Sequence, residues 1–147
     1  MKRNNPFLTV DSNVVIAALR GIEPSSRKCG EILAKASEHF VLAEPSIIYQ
    51  EVCGTLSRKT SLDIANKAIK HLDQAIEPKW LTSCDRKTCV SAFALCGEYK
   101  IYAVDALYLY VALINNAILV SLDKEFIDKL NSNRLPVEAY TVDDFPY

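Results

Sequence analysis

Four acidic residues stand where an ordinary core would hold none. Asp11 follows Phe7-Leu8-Thr9-Val10, Glu51 follows Ile47-Ile48-Tyr49-Gln50, Asp105 interrupts the apolar run from Ile101 to Leu109, and Asp123 follows Ile118-Leu119-Val120-Ser121-Leu122. A carboxylate drawn toward an interior loses hydration that only a partner can offset, so acids repeated in this setting point to a shared cation. Hard divalent ions prefer oxygen donors, and Mg²⁺ keeps several waters and completes its shell with substrate phosphate. One use of such a pocket is phosphodiester hydrolysis, in which the ion acidifies and orients a water and stabilises the leaving oxygen. No serine, cysteine or histidine nucleophile is then needed, and His39 and His71 show no partner spacing for a triad.

By the two-residue alternation of a strand, Thr9 shares a side with Asp11 and Ser121 shares a side with Asp123, so each strand can offer a hydroxyl and a carboxylate to one cleft. Glu51 lies at the margin of a helical stripe, and Asp105 is in register with Tyr108, Leu109 and Ala112 on an inward face. Each acid also has a plainer role open to it. Asp11 can begin a turn, Glu51 can sit in solvent, Asp105 can cap a helix, and Asp123 can cap the short helix at Glu125. Taken together, caps do not explain the four uncharged residues before Asp105 or the same polar-then-acid step at two strand ends. Gathered without metal, such carboxylates repel one another and hold extra protons.

The elements that must position these acids alternate between strand and helix. Phe7 to Val10 reads as a strand feeding a helix at Val14 to Leu19, and Ser25-Ser26 caps a helix with the stripe Cys29, Ile32, Leu33 and Ala36. His39 to Ala43 reads as a strand, and Glu44-Pro45-Ser46 opens a helix with Ile48, Val52 and Leu56 inward. Thr60 with Asp63 caps the next helix, carrying Leu62, Ala65, Ile69, Leu72 and Ile76. Trp80 to Thr82 is a short strand, followed by a helix from Asp85 to Tyr99 with Val90, Phe93, Ala94 and Gly97 inward. An apolar helix begins at Asp105 and closes at Asn115-Asn116. Ala117 to Leu122 is a strand, Glu125 to Leu130 a helix, and Val137 to Val142 a last strand. Ala117 to Leu122 is apolar on both faces until Ser121, as a parallel strand covered on both sides requires. The expected fold is α/β, a three-layer α/β/α sandwich around a mainly parallel sheet of about five strands. In such sheets ligands collect beyond the carboxyl ends of the strands, where Asp11 and Asp123 fall.

A chain of 147 residues, half of them hydrophobic and 24% charged, fits one compact domain spanning residues 1–147 and excludes a disordered or fibrous class. The longest nearly uncharged stretch, Ile101 to Leu122, is broken by Asp105 and Asn115-Asn116, so no membrane span is expected. The basic Met1-Lys2-Arg3 lacks the features of a secretory signal, and the cysteines are 5 in number and set among apolar residues. Cys84 and Cys89 lack zinc-site spacing, disulfides are not expected, and the cytoplasm is the expected compartment. A net charge of −1 conceals local basic clusters at Arg27-Lys28, Arg58-Lys59, Lys67 with Lys70, and Arg86-Lys87. They permit nucleic-acid binding and read equally as solvated faces.

Four segments, in order, resemble the PIN-domain ribonucleases, particularly the VapC-type toxins. They are Leu8-Thr9-Val10-Asp11-Ser12-Asn13-Val14, Pro45-Ser46-Ile47-Ile48-Tyr49-Gln50-Glu51-Val52, Tyr102-Ala103-Val104-Asp105-Ala106-Leu107, and Val120-Ser121-Leu122-Asp123-Lys124-Glu125-Phe126. The resemblance covers nearly the whole chain. It implies a PIN-like fold and Mg²⁺ or Mn²⁺ held by Asp11, Glu51, Asp105 and Asp123, with Ser12, Asn13 and Ser121 as polar neighbours. Ser121 stands where many members have threonine, which keeps the hydroxyl. The resemblance further implies RNA as substrate, an antitoxin protein that covers the cleft, and a homodimer. Two rivals remain open at the level of sequence. One is an Mg²⁺-binding phosphoacceptor or signalling domain of doubly wound fold, which would need an acid after a central strand where only Asp85 is available. The other is a catalytically inactive PIN domain that binds RNA or protein. An Asp-x-Asp phosphatase is disfavoured because Asp11-Ser12-Asn13 lacks the second carboxylate.

Overall fold

The apolar run Phe7–Val10 forms the strand β1, and Asp11 turns the chain into the helix α1, Ser12–Arg20. Gly21, at φ +69°, closes α1, its left-handed backbone directing the N–H to the Ala17 carbonyl. The computed structural model describes residues 4–147, so the basic segment Met1-Lys2-Arg3 lies outside the described residues. The helix α2 is Ser26–His39, followed by two short strands, β2 at Val41–Leu42 and β3 at Glu44–Pro45. The helices α3, Ile47–Lys59, and α4, Leu62–Ala75, precede a 3₁₀ turn at Pro78–Trp80 and the strand β4, Leu81–Thr82. Then come α5 at Arg86–Tyr99, α6 at Ala103–Asn115, β5 at Ile118–Ser121, α7 at Lys124–Ser132 and β6 at Ala139–Thr141.

The main sheet has the order β2-β1-β5-β6, every pairing parallel, with Leu8 opposite both Leu42 and Ile118 and Val10 opposite Val120. The strands β3 and β4 form a separate parallel pair. The expected sheet of about five strands is thus a four-stranded and a two-stranded sheet, with β2 and β3 parted only by Ala43. Helices flank the sheet, giving the α/β sandwich anticipated from the alternating pattern. Chain order reverses between β1 and β5, so Asp11 and Asp123 both emerge at the crevice where open parallel sheets bind ligands.

The core forms where the two central strands meet the helices. Leu8, Val10, Leu119 and Val120 of the strands are buried, as are Ile48, Val52 and Leu56 spaced four apart on α3 and Leu109 and Ala112 on α6. Each of the leucine, valine and isoleucine side chains among them contributes roughly 1.5–3 kcal/mol by leaving water. Among the described residues no helix is long and apolar enough to cross a membrane. All five cysteines are free, and only Cys29 is fully buried, so burial of the group is narrower than its apolar neighbours suggested.

Four local expectations are corrected. Glu44-Pro45 does not open a helix: it stays extended and pairs with β4, and α3 begins at Ile47. Ser61, not Thr60, caps α4 by accepting from the Ile64 N–H, while the Thr60 hydroxyl donates to the Leu56 carbonyl at the end of α3. On α4, Leu62 and Ile69 face solvent and Ala65, Ala68 and Leu72 face inward. On α5 the stripe is rotated: Thr88 and Ala92 are buried, while Val90 and Phe93 are 48% and 66% exposed and Ala94 and Gly97 are also exposed. Small side chains let α5 approach its neighbour α6 closely, and the larger apolar residues are left outside.

Candidate active site

Asp11 is built into the end of β1 and is 6% exposed. Its backbone N–H donates to the Val120 carbonyl of β5 at 2.9 Å, which ties the carboxylate to the centre of the sheet. The side chain is held by three donors. The Ser121 hydroxyl donates to Oδ2 at 2.7 Å, the Asn13 amide donates to Oδ2 at 3.3 Å, and the Ser12 hydroxyl reaches Oδ1 at 3.5 Å. Ser121, wholly buried, also accepts from the Asn13 amide at 3.1 Å and from the Asp123 N–H at 3.0 Å. Asn13 closes the circuit by accepting the Leu122 N–H at 3.1 Å. One network therefore joins the first turn of α1 to the β5–α7 connection, and it contains Asp11, Ser12, Asn13, Ser121 and Asp123.

The other two acids approach from different elements. Glu51, half-buried on α3, accepts a hydrogen bond at 2.8 Å from the Tyr108 hydroxyl, whose ring is buried on α6. Asp105 lies in the first turn of α6, one helical turn before Tyr108 and Leu109. Neither is hydrogen-bonded into the Asp11 network, but charge links them to it. Burial, with the Glu51 and Asp123 carboxylates nearby, raises the Asp11 carboxyl to about 6 against an opposing effect from the Ser121 hydroxyl. Burial and the charges of Asp11, Asp123 and Glu51 raise Asp105 to about 7. Asp11, after β1, and Asp105, on α6, thus both feel the charges of Glu51 on α3 and of Asp123 before α7, and both hold their protons more tightly than a free carboxyl does. Asp11, Asp105 and Asp123 also lie at or within the first turns of α1, α6 and α7, whose positive N-terminal dipoles moderate the repulsion.

Several plainer alternatives are now decided. Asp105 is not a cap, since the N-cap of α6 is Tyr102. Asp123 does cap α7, its Oδ1 accepting the Phe126 N–H at 3.1 Å, and its second oxygen remains for other use. Thr9 contributes nothing to the cleft: its hydroxyl donates to the Ala43 carbonyl at 2.7 Å. Asp85 caps α5 by accepting the Thr88 N–H, and it follows β4 of the small sheet, so no acid ends a central strand there as a phosphoacceptor would. Tyr108 is a core residue with its hydroxyl on Glu51, while Tyr102 is 77% exposed.

The donor set suits a hard divalent cation, being all oxygen, mutually repulsive and partly desolvated. Among the described residues no three acidic, histidine or cysteine side chains converge closely enough to enclose an ion by themselves. A divalent ion held by one or two carboxylates, with water and substrate phosphate completing its shell, does not require a closer cluster. The acids are singled out by charge and hydrogen bonding rather than by depth, since a cavity of about 510 Å³ beside α7 and β6, lined by Leu122, Lys124, Thr141 and Asp144, includes none of them.

Sequence reasoning passed over two residues here. The sequence places Tyr108 on an inward helix face, and nothing local in it pairs the hydroxyl with Glu51. Glu44 reads in the sequence as a helix start, although it follows Val41-Leu42-Ala43 in the same strand-then-acid step that singles out Asp11. It is wholly buried, and its carboxyl accepts the Val10 N–H at 2.7 Å.

The network makes Ser121 a test of how Asp11 is positioned. Ser121→Ala is expected to destabilise the fold by about 1–3 kcal/mol, because Asp11 loses its shortest bond. It is also expected to weaken Mn²⁺ binding roughly 10- to 100-fold, as loss of a partner that orients a metal-binding carboxylate does. Ser121→Thr keeps the hydroxyl and is expected to restore both. Thermal melts and calorimetric Mn²⁺ titration measure these effects, and an Ala variant that binds as the parent does would remove Ser121 from the account.

Comparison with known proteins follows the same lines. The PIN domain family model matches residues 8–130, which include all four acids and their polar neighbours. Among solved structures, VapC20 of Mycobacterium tuberculosis, a Sarcin-Ricin loop cleaving toxin, superposes with a TM-score of 0.67 at 15% identity, covering 89% of this chain and 98% of that one. VapBC2 of Rickettsia felis, solved bound to a DNA fragment from its promoter, gives 0.67 at 15% identity, covering 92% and 98%. A toxin-antitoxin complex from Klebsiella pneumoniae gives 0.63 at 17% identity, covering 89% and 98%. No match was found among curated proteins. The structural likenesses, at these identities, establish a shared fold, and the family match over residues 8–130 carries the assignment: the chain belongs to the PIN domain family.

Proposed function

We propose that this protein is a divalent-metal-dependent endoribonuclease, the toxin of a toxin–antitoxin pair. The observation that carries the reading is the charge coupling of Asp11, Glu51, Asp105 and Asp123 beside the switch point of a PIN fold, with Asp11 fixed by Ser121 and Asn13. Asp11, Glu51, Asp105 and Asp123 would hold Mg²⁺ or Mn²⁺. When bound, such an ion supplies positive charge against the phosphodiester and acidifies a water for in-line attack. The protein's own groups prepare for that task. Ser121 and Asn13 aim the Asp11 carboxylate, Tyr108 fixes one oxygen of Glu51, and the cap bond to Phe126 sets the orientation of Asp123. Asp105, raised to about 7, releases a proton as a cation arrives, so binding strengthens as pH rises through neutrality.

The RNA substrate, the antitoxin and a homodimer belong to the same reading. Support for the antitoxin comes from the Klebsiella relative, which is a toxin-antitoxin complex. Support for RNA comes from the Sarcin-Ricin loop cleaving toxin of the same fold. A cytoplasmic location follows for an enzyme of this kind acting on cellular RNA.

Incubation of the purified protein with a mixed, end-labelled RNA pool tests the function. Discrete cleavage products are expected with Mg²⁺ or Mn²⁺ and none with excess EDTA. Intact RNA in the presence of either metal, at enzyme in excess over substrate, contradicts the ribonuclease assignment, and cleavage that survives EDTA contradicts the metal.

A further inference from the structure

Glu44 is a carboxylic acid with no solvent exposure, in a position the established family assignment does not call upon. Its setting follows from a break in the sheet. With Leu8 opposite Leu42 and the Ala43 N–H donating to the Leu8 carbonyl, a continuous parallel ladder would next carry the Val10 N–H to the Ala43 carbonyl. That bond is not made. The Ala43 carbonyl takes the Thr9 hydroxyl instead, and from Glu44 onward the backbone leaves β1 to pair with β4. The Val10 N–H would be orphaned inside the protein, and the Glu44 Oε1 accepts it at 2.7 Å. The next peptide N–H, that of Asp11, is bound on the opposite side to Val120. The Val10–Asp11 segment is therefore clamped between a side chain from β3 and the backbone of β5.

We propose that Glu44 is a positioning residue for the metal-dependent reaction: its carboxyl replaces the missing strand carbonyl, holds the Val10 N–H, and so fixes where Asp11 presents its carboxylate. The inference rests on the nuclease reading for its effect on catalysis and on geometry alone for the clamp. The second oxygen, Oε2, is buried without a partner, so Glu44 is held here at an energetic disadvantage that a merely space-filling role does not account for. Burial first, and the neighbouring Asp11 charge after it, push the Glu44 carboxyl well above the usual carboxylate range, against the Val10 bond. The requirement at this position is an acceptor oxygen, which glutamine also provides and leucine does not.

The test compares Glu44→Gln and Glu44→Leu with the parent protein in three measurements: amide hydrogen exchange at Val10 and Asp11 without metal, calorimetric Mn²⁺ titration, and RNA cleavage. Gln is expected to match the parent within about threefold in all three. Leu is expected to exchange the Val10 amide at least about tenfold faster, to bind Mn²⁺ roughly 10- to 100-fold more weakly, and to lose kcat with KM for RNA unchanged. Two results overturn the proposal: a Leu variant that keeps the parent's exchange rate and Mn²⁺ affinity, or a Gln variant impaired as severely as Leu. Should Leu not fold, the Gln comparison still decides. A parent protein that binds Mn²⁺ without cutting RNA contradicts the nuclease reading alone, and exchange with Mn²⁺ affinity then decides the role of Glu44.

Discussion

Asparagine in place of Asp11 is expected to lower metal-dependent RNA cleavage by about a thousandfold or more while the folded state survives. The magnitude follows from what is lost: a negative charge at the most fully hydrogen-bonded acid of the candidate site, against which the proposed cation would be held. The fold survives because Asn keeps an acceptor for the Ser121 hydroxyl and the backbone bond to Val120 is untouched. Asp105→Asn is expected to act in the same direction. Single-turnover cleavage of labelled RNA, with a thermal melt of each variant, measures both effects. Activity within tenfold of the parent in both variants would remove these acids from the mechanism.

The second large effect is on stability, and its sign is set by pKa values that are raised on folding. Asp11 titrates near 6 and Asp105 near 7 in the folded protein against 3.8 when unfolded. From about pH 4 to 7 the metal-free folded state thus binds protons that the unfolded chain has released, and stability must fall as pH rises. The advantage of the protonated site is full below about pH 4 and gone above about pH 7. For Asp11, which is buried, about two pKa units correspond to a loss on the order of 3 kcal/mol. At this chain length that is a drop in Tm of roughly 5–10 °C. Melts of EDTA-treated protein from pH 5 to 8 are expected to show the decline. Saturating Mn²⁺ at pH 8 is expected to reverse it, since a hundredfold excess over Kd adds about 2.7 kcal/mol. Asp11→Asn should be more stable than the parent at pH 8 without metal and should gain less from Mn²⁺. A flat pH profile, or no thermal shift at saturating Mn²⁺, would count against four carboxylates sharing one site.

The residues of the candidate site stand out in the sequence more than the surfaces around them, for physical reasons visible at particular positions. Asp11 and Asp123 announce themselves because an acid directly after an apolar β-branched run breaks a pattern that burial imposes, and Ser121 because its hydroxyl lies two residues before an acid on the same strand face. Glu44 carried the same signal but was overridden by the Pro45 that follows, which reads as the first turn of a helix. A strand of two residues, Glu44–Pro45, is too short for alternation to reveal. On α5 the helical period was right and its phase wrong. Hydrophobicity favours Val90 and Phe93 inside, whereas close approach to α6 selects Thr88 and Ala92, a choice made by tertiary packing. The pairing of Tyr108 with Glu51 spans 57 positions and two helices, and no local rule reports it.

The exposed Val90 and Phe93 are a consequence of that packing, and they make the solvent face of α5 more apolar than its sequence neighbours Arg86, Lys87 and Glu98 would suggest. The same logic separates structure from chemistry at the acids. Asp123 caps α7 with one oxygen whatever its part in the proposed chemistry, so Asp123→Asn retains an acceptor for the Phe126 N–H and leaves the helix start intact.

The central claim is that Asp11, Glu51, Asp105 and Asp123 act together on one divalent ion. Anomalous diffraction from crystals grown with Mn²⁺ tests it most directly. The account predicts a manganese peak bonded to Asp11 and to at least one of the other three carboxylates, with waters completing the shell. Manganese bound only elsewhere on the protein at saturating concentration, with these four side chains free of it, would contradict the account.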